Sequence, residues 1–143
     1  MKKILIINGP NINMLGVREP ELYGTTSYSD LLALLEKWAN GLGLEAEHYQ
    51  SNHEGDIVDR IQKAYYDGVE GIVINPAAYT HTSVAILDAL KAVGIPAVEV
   101  HISDINGREE FRRISYAGMA CEAHFIGLGL EGYKKAMEYL AAK

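Results

Sequence analysis

The chain has 143 residues and a net charge of −6, and its 48% hydrophobic and 22% charged content is ordinary for a globular protein. This acidic balance argues against nucleic acid or an anionic membrane as the main partner, and no apolar run approaches membrane-spanning length. The single cysteine excludes an internal disulfide, and four apolar residues after Lys2-Lys3 are too few for a secretory signal, so we expect one cytoplasmic domain spanning residues 1–143.

Apolar runs and helical periodicities then alternate along the chain. The run at 4–7 predicts a strand that is buried on both faces. Ser27 and Asp30 have the spacing of a capping box, and apolar residues recur at helical spacing from Leu31 to Leu42, before Gly43. The later predicted elements are a strand at 45–50, a helix at 54–67, a strand at 71–75, a helix at 82–92, a strand at 96–101, a helical turn at 109–113, a strand at 124–127 and a helix at 130–142.

This alternation predicts an α/β fold with a doubly wound, five-stranded parallel sheet and helices on both faces, and the length favours the flavodoxin-like strand order. Such folds bind ligands at the carboxyl ends of the strands. Polar residues gather after three predicted strands, at 8–23, 75–81 and 101–103. We therefore expect one cleft there, with the long segment before Gly24 as its active-site loop.

Glu99 and His101 carry the strongest chemical signal. Two residues apart on a strand, they share one face, among Ala, Val and Ile. A carboxylate beside an imidazole favours the protonated ring and fixes its orientation, as a general acid requires. Other residues, taken singly, could be either functional or ordinary surface residues. His81 would suit a solvated loop, and Asp88 would suit a solvated helix face.

Other chemistries fit the sequence less well. It contains no P-loop, no Gly-x-Gly-x-x-Gly after the first strand and no Gly-x-Ser-x-Gly elbow. The five histidines show no metal-ligand spacing. What is left is acid–base chemistry by tyrosine, histidine and arginine.

Four segments together form a recognisable pattern. They are Asn8-Gly-Pro-Asn-Ile-Asn-Met-Leu-Gly-Val-Arg-Glu-Pro-Glu-Leu-Tyr-Gly, Ile74-Asn-Pro-Ala-Ala-Tyr-Thr-His-Thr-Ser, Glu99-Val-His-Ile-Ser and Arg108-Glu-Glu-Phe-Arg-Arg-Ile-Ser-Tyr. In content and order they resemble the motifs of type II 3-dehydroquinate dehydratases, over nearly the whole chain. The segments at 104–107 and 117–125 depart from the usual family pattern.

The resemblance implies a shikimate-pathway hydro-lyase that converts 3-dehydroquinate to 3-dehydroshikimate with no metal and no organic cofactor. It implies that Tyr23 is the base, as a tyrosinate held by Arg18. Asn11 would position a water against an enolate oxygen. His101, oriented by Glu99, would protonate the leaving hydroxyl.

The resemblance also implies the substrate contacts and the assembly. The implied ring-binding side chains are Asn75, His81 and Arg112, the backbone of Ile102 and Ser103 would bind the carboxylate, and Arg108 would sit near Tyr23. Asp88 would reach in from a neighbouring subunit of a trimer, four of which form a homododecamer. Two alternatives share the fold: a flavodoxin-like electron carrier that binds FMN, and a non-catalytic binding module.

Overall fold

A computed structural model describes residues 1–17 and 25–143. Their strands form one five-stranded sheet in the order β2-β1-β3-β4-β5, and every neighbouring pair is parallel. This is the flavodoxin-like order, so the predicted fold class is confirmed. The strands are β1 (Lys2–Asn8), β2 (Leu44–Gln50), β3 (Gly71–Asn75), β4 (Ala97–His101) and β5 (Ala123–Ile126).

Helices cover both faces of the sheet, as predicted. They are α1 (Tyr28–Gly41), α2 (Glu54–Tyr66), α3 (Val84–Val93) and α4 (Glu131–Ala141). Ile4 and Ile6 pack with α1 and α4, whereas Leu5 and Ile7 pack with α2 and α3. All four side chains are fully buried, which explains why β1 has no polar alternation.

The predicted capping box opens α1. The Ser27 hydroxyl accepts from the Asp30 amide at 3.1 Å, and the Asp30 carboxylate accepts from the Ser27 amide at 3.3 Å. These two bonds satisfy amides that no earlier helical carbonyl can reach.

Some predicted boundaries are wrong by one or two residues. The helix expected at 82–92 begins at Val84, because the 3-10 turn Ala77–His81 precedes it. Ser83 caps the helix, since its hydroxyl oxygen accepts from the Ile86 amide at 3.0 Å. The last strand ends at Ile126 rather than at residue 127, because Gly127 has a left-handed φ of 77°.

Short 3-10 turns shape the loops between the main elements. They are Ile12–Met14, Ala77–His81, Ile105–Gly107, Glu110–Arg113 and Ala117–Ala120. Within residues 1–17 and 25–143, no helix has the length and apolarity that crossing a bilayer would require.

Candidate active site

A cavity of about 140 Å³ opens beside the carboxyl ends of β1, β3 and β4. This is the edge at which the sequence predicts a cleft. Eight predicted site residues line it, namely Asn11, Asn75, His81, His101, Ile102, Ser103, Arg108 and Arg112. Five further lining residues were not predicted as site residues: Pro10, Ile12, Ala77, Ala78 and Ile105.

The other four predicted residues are placed differently. Glu99 is buried behind His101, to which it is hydrogen-bonded, and does not line the cavity. Asp88 is exposed on α3 and does not line the cavity either. Arg18 and Tyr23 lie outside the described residues.

Three side chains donate to the Glu99 carboxylate. His101 Nε2 lies 2.7 Å from Oε2, which also accepts from the Ser115 hydroxyl, and His124 Nδ1 lies 2.7 Å from Oε1. Burial by itself would raise the pKa of Glu99, but the bond and charge of His101, followed by the bonds from Ser115 and His124, outweigh it and lower the pKa to about 2. Glu99 is therefore ionised at neutral pH.

The ionised carboxylate fixes the tautomers of its neighbours. Since a carboxylate only accepts hydrogen bonds, His101 Nε2 and His124 Nδ1 must both carry hydrogens. Nδ1 of His101 is then the ring nitrogen that Glu99 does not use. The cavity-lining His101 can thus present that nitrogen to a reacting group.

Glycine is required next to this carboxylate. A Cβ on Gly118 would lie 2.6 Å from Glu99 Oε1 and 2.8 Å from the Ser115 hydroxyl oxygen. The Gly118 amide also donates to that hydroxyl oxygen at 3.0 Å. Ser115, Gly118 and His124 were not predicted as site residues, and only the folded structure brings them to Glu99.

Asn75 is fixed by a buried polar network that was not predicted. The Tyr133 hydroxyl accepts from Asn75 Nδ2 at 3.0 Å and donates to Asn8 Oδ1 at 2.5 Å. Asn75 Oδ1 in turn accepts from the amide of Ala77, whose φ is 53°. Burial raises the pKa of Tyr133 well above its ordinary value, so its hydroxyl keeps its proton.

His81 presents a hydrogen-bond acceptor to the cavity. Its Nδ1 lies 2.7 Å from the Ile114 carbonyl oxygen, which can only accept, so Nδ1 carries the hydrogen. Burial lowers the pKa of His81, and the charges of His101, Arg112 and Arg108 lower it further, against the effect of the Ile114 bond. The neutral ring leaves Nε2 as an acceptor.

Asn11 is held in a left-handed conformation, with φ at 70°, by the loop that follows β2. Its amide donates to Asn52 Oδ1 at 3.0 Å, and Gln50 donates to the carbonyl of Gly9 at 3.1 Å. Gly9 packs directly on Pro76, because a Cβ there would lie 2.3 Å from the Pro76 oxygen. Backbone strain of this kind is typical of functional sites.

The cavity wall is cationic, which suits an anionic ligand. Arg108 and Arg112 line it, and Arg112 Nε donates to Glu109 at 2.6 Å. In the described part of the chain, no group of three or more histidine, cysteine or acidic side chains is arranged to bind a metal ion. The site combines a hydrogen-bonded imidazole, guanidinium groups and neutral acceptors, which equips it for acid–base chemistry on an oxygen-rich anion.

Comparisons with known proteins place the chain in a family. The family model described as dehydroquinase class II matches residues 2–141. A 3-dehydroquinate dehydratase from Caldicellulosiruptor bescii is 54% identical over 93% of this chain and 92% of its own. A catabolic 3-dehydroquinase from Aspergillus clavatus is 54% identical, over 98% of this chain and 93% of its own. The crystal structure of the type II dehydroquinase from Butyrivibrio crossotus superposes with a TM-score of 0.96, at 51% identity and 97% coverage of both chains. The chain belongs to the class II dehydroquinase family.

Proposed function

We propose that this chain dehydrates 3-dehydroquinate to 3-dehydroshikimate, a reaction of the shikimate pathway, through an enolate. The hydro-lyase activity is the one for which the matching relatives are named, at 50% identity or more over nearly the full chain. The observation that carries the proposal is the buried Glu99–His101 pair at a cavity with arginines in its wall. Family membership favours this activity over an FMN electron carrier or a binding module.

The proposed reaction has two steps. The Tyr23 phenolate removes the proton from C2, and the electron pair moves to the C3 carbonyl oxygen to give an enolate. The enolate then reforms the carbonyl, C1=C2 forms, and the C1 hydroxyl departs from the opposite face with a proton from His101 Nδ1. Water is released, and solvent returns a proton to His101 and takes one from Tyr23.

The tyrosinate is the costly element of this mechanism. An ordinary tyrosine has a pKa of about 10, so stabilising its anion at pH 7 requires roughly 4 kcal/mol. One guanidinium at about 4 Å supplies on the order of 4 kcal/mol at an effective dielectric of 20, and desolvation opposes it. In the proposal Arg18 is the first cation and Arg108 the second.

The remaining side chains bind the substrate in this proposal. The neutral His81 accepts from a ring hydroxyl through Nε2, while Asn75 and Arg112 bind other ring oxygens. The backbone of Ile102 and Ser103 receives the carboxylate. Asn11 positions a water against the enolate oxygen, and its fixed loop supports that role.

We further propose a homo-oligomer, a dodecamer built of trimers, in which Asp88 serves the next subunit. Asp88 is exposed and does not line its own chain's cavity. Val84, one turn earlier on α3, is also exposed at 49%. A partner subunit that packs on this part of α3 would cover Val84, and Asp88 would then lie at the partner subunit's cavity.

The experiment is direct. Purified protein is mixed with 3-dehydroquinate, and the ultraviolet absorbance of the conjugated product is followed. A rise that depends on enzyme and survives prolonged chelation supports the proposal. No rise, with binding retained, would leave the chain as a binding module.

A further inference from the structure

His124 is a second histidine on the carboxylate that orients the proposed general acid. Glu99 on β4 and His124 on β5 are paired in register, so their side chains lie side by side on one face of the sheet. Each carboxylate oxygen receives one imidazole at 2.7 Å, His101 on Oε2 and His124 on Oε1. The reaction described above gives His124 no part.

The two histidines differ in their access to solvent. The His101 side chain is 5% exposed and that of Glu99 is 2% exposed, whereas that of His124 is 43% exposed. An imidazole with that much access could hydrogen-bond to water, yet it donates inward to a buried oxygen. The missing Cβ of Gly118 leaves room at that same oxygen.

From this geometry we propose that His124 is a positioning residue for His101. By donating to Oε1, His124 holds the carboxylate so that Oε2 faces the Nε2–H group of His101. His101 in turn is held with Nδ1 available to the substrate. The inference rests on the proposed dehydratase function for its kinetic consequences, but not for the hydrogen-bond arrangement.

Glu99 is surrounded by groups from several elements. His101 faces it from β4, His124 from β5 and Ser115 from the following loop. The nearby Cys121 thiol stays neutral, because burial and then the charges of Glu99 and Glu122 raise its pKa to about 12. Beyond His101, the groups at the cavity are the cations Arg108 and Arg112 and the neutral His81.

Loss of His124 removes one of the three side-chain donors to the Glu99 carboxylate. The carboxylate then lacks the bond that fixes its plane, so the His101 ring is oriented less well. The kinetic signature is a lower kcat with an unchanged KM, and a donor placed at the same position reverses it.

His124→Val tests the inference, because valine suits a strand and cannot donate. We expect kcat to fall about fivefold, as for one lost hydrogen bond of ordinary strength, with KM unchanged because His124 does not line the cavity. His124→Asn places an amide N–H where Nδ1 stood, and it should restore kcat. Equal losses in both variants, or wild-type kinetics in His124→Val, would overturn the inference.

His48→Val is the matched control. His48 lies on β2, the opposite edge strand, and its Nε2 is 3.0 Å from Glu36, far from the cavity in sheet order. The substitution removes a comparable strand histidine that is bonded to a glutamate, and it should leave kcat unchanged. Thermal unfolding of all three variants checks that each is folded.

A second measurement needs no activity. In protein labelled with 15N-histidine, NMR reports the His101 Nε2–H group that is bonded to Glu99. Its signal should be the same in wild type and His124→Asn and should shift or exchange faster with water in His124→Val. If the wild-type protein does not turn over 3-dehydroquinate, the dehydratase proposal fails and this signal alone decides: an unchanged signal in His124→Val refutes the positioning role.

Discussion

Tyr133 holds Asn75 from behind, through a 3.0 Å hydrogen bond between the last helix and the end of β3. The same hydroxyl donates to Asn8 at the end of β1. A fully buried tyrosine therefore joins two neighbouring strand ends. The amide of Asn75 reaches the cavity from this fixed position.

Tyr133→Phe should destabilise the fold and loosen the site. It leaves one amide group of Asn8 and one of Asn75 buried without their partner, at a cost of about 1–3 kcal/mol each. We expect a lower free energy of unfolding in urea and a raised KM. Tyr139→Phe is the control, because that hydroxyl, on the same helix, bonds to the exposed Glu122 at 3.1 Å. Loss of the Tyr139 hydroxyl should change the free energy of unfolding by less than about 0.5 kcal/mol. Equal effects of Tyr133→Phe and Tyr139→Phe would contradict the prediction.

Glu99→Gln should remove a pH dependence of stability. The pKa of Glu99 is lowered in the fold from 4.5 to about 2, so its contribution is complete above the unfolded value and is lost as the pH falls toward 2. The contribution is at most about 3 kcal/mol. Urea unfolding should show wild type and variant far apart at neutral pH and closer together at pH 3.

The control for this titration is Glu138→Gln, an exposed carboxylate on α4. Its free energy of unfolding should follow the wild-type pH dependence throughout. Wild type and Glu99→Gln are compared by their difference in free energy of unfolding. If that difference is the same at neutral pH and at pH 3, the bonds from His101, Ser115 and His124 do not lower the pKa of Glu99.

The sequence was sufficient for the fold because its signals are local. The buried run at 4–7, the Ser27 cap and the strand–helix alternation each report the structure of a few neighbouring residues. Eight of the predicted site residues then lie together at one edge of the sheet. The exact ends of the elements could not be predicted as well. No local signal shows that α3 begins only at Val84, after the 3-10 turn Ala77–His81.

The supporting residues could not be predicted, because their partners are distant in sequence. His124 meets Glu99 only through the register of β4 and β5. Tyr133 has the spacing of an ordinary core residue of α4, and its polar role depends on which strand ends lie beneath it. Gly118 gives no sign in the sequence that a carboxylate lies against it.

Arg18→Ala should cut the rate severely and move the acidic limb of the kcat/KM profile to higher pH, since the proposed tyrosinate loses its main stabiliser. Arg18→Lys keeps the charge but lacks the planar fork of donors, so we expect only partial recovery of the rate. Steady-state kinetics across pH measures both. An Arg18→Ala enzyme with the wild-type profile would remove Arg18 from the mechanism.

His81→Asn should weaken substrate binding while it preserves the fold. The asparagine amide can still donate to Ile114, as Nδ1 does, but nothing replaces the Nε2 acceptor. We expect KM to rise about fivefold, as for one ordinary hydrogen bond. His81→Gln, which can place an oxygen near the Nε2 position, should stay closer to wild type.

His81 also predicts a pH effect in the wild-type enzyme. Its pKa is lowered from 6.5, so the ring protonates, and the acceptor is lost, only as the pH falls below that value. KM should therefore rise on acidification below pH 6.5, and His81→Gln should lack that rise. A rise of equal size in His81→Gln would assign the effect to another group.

Asp88 tests the proposal that active sites are shared between subunits. It is exposed on α3 and does not line the cavity of its own chain, so we expect Asp88→Ala to lower activity by removing a carboxylate from the neighbouring subunit's site. Asp59→Ala, at an exposed position on the neighbouring helix α2, is the control and should be fully active.

Tyr23→Phe alone should be inactive. When the Asp88→Ala and Tyr23→Phe chains are refolded together, some sites combine the intact Tyr23 of one chain with the intact Asp88 of the other, and those sites are wholly wild type. Activity should then exceed the average of the separate variants once native mass spectrometry shows mixed oligomers. Mixed oligomers without that gain would mean that Asp88 acts within its own chain or only as a solvated surface charge, and that no site is shared through it.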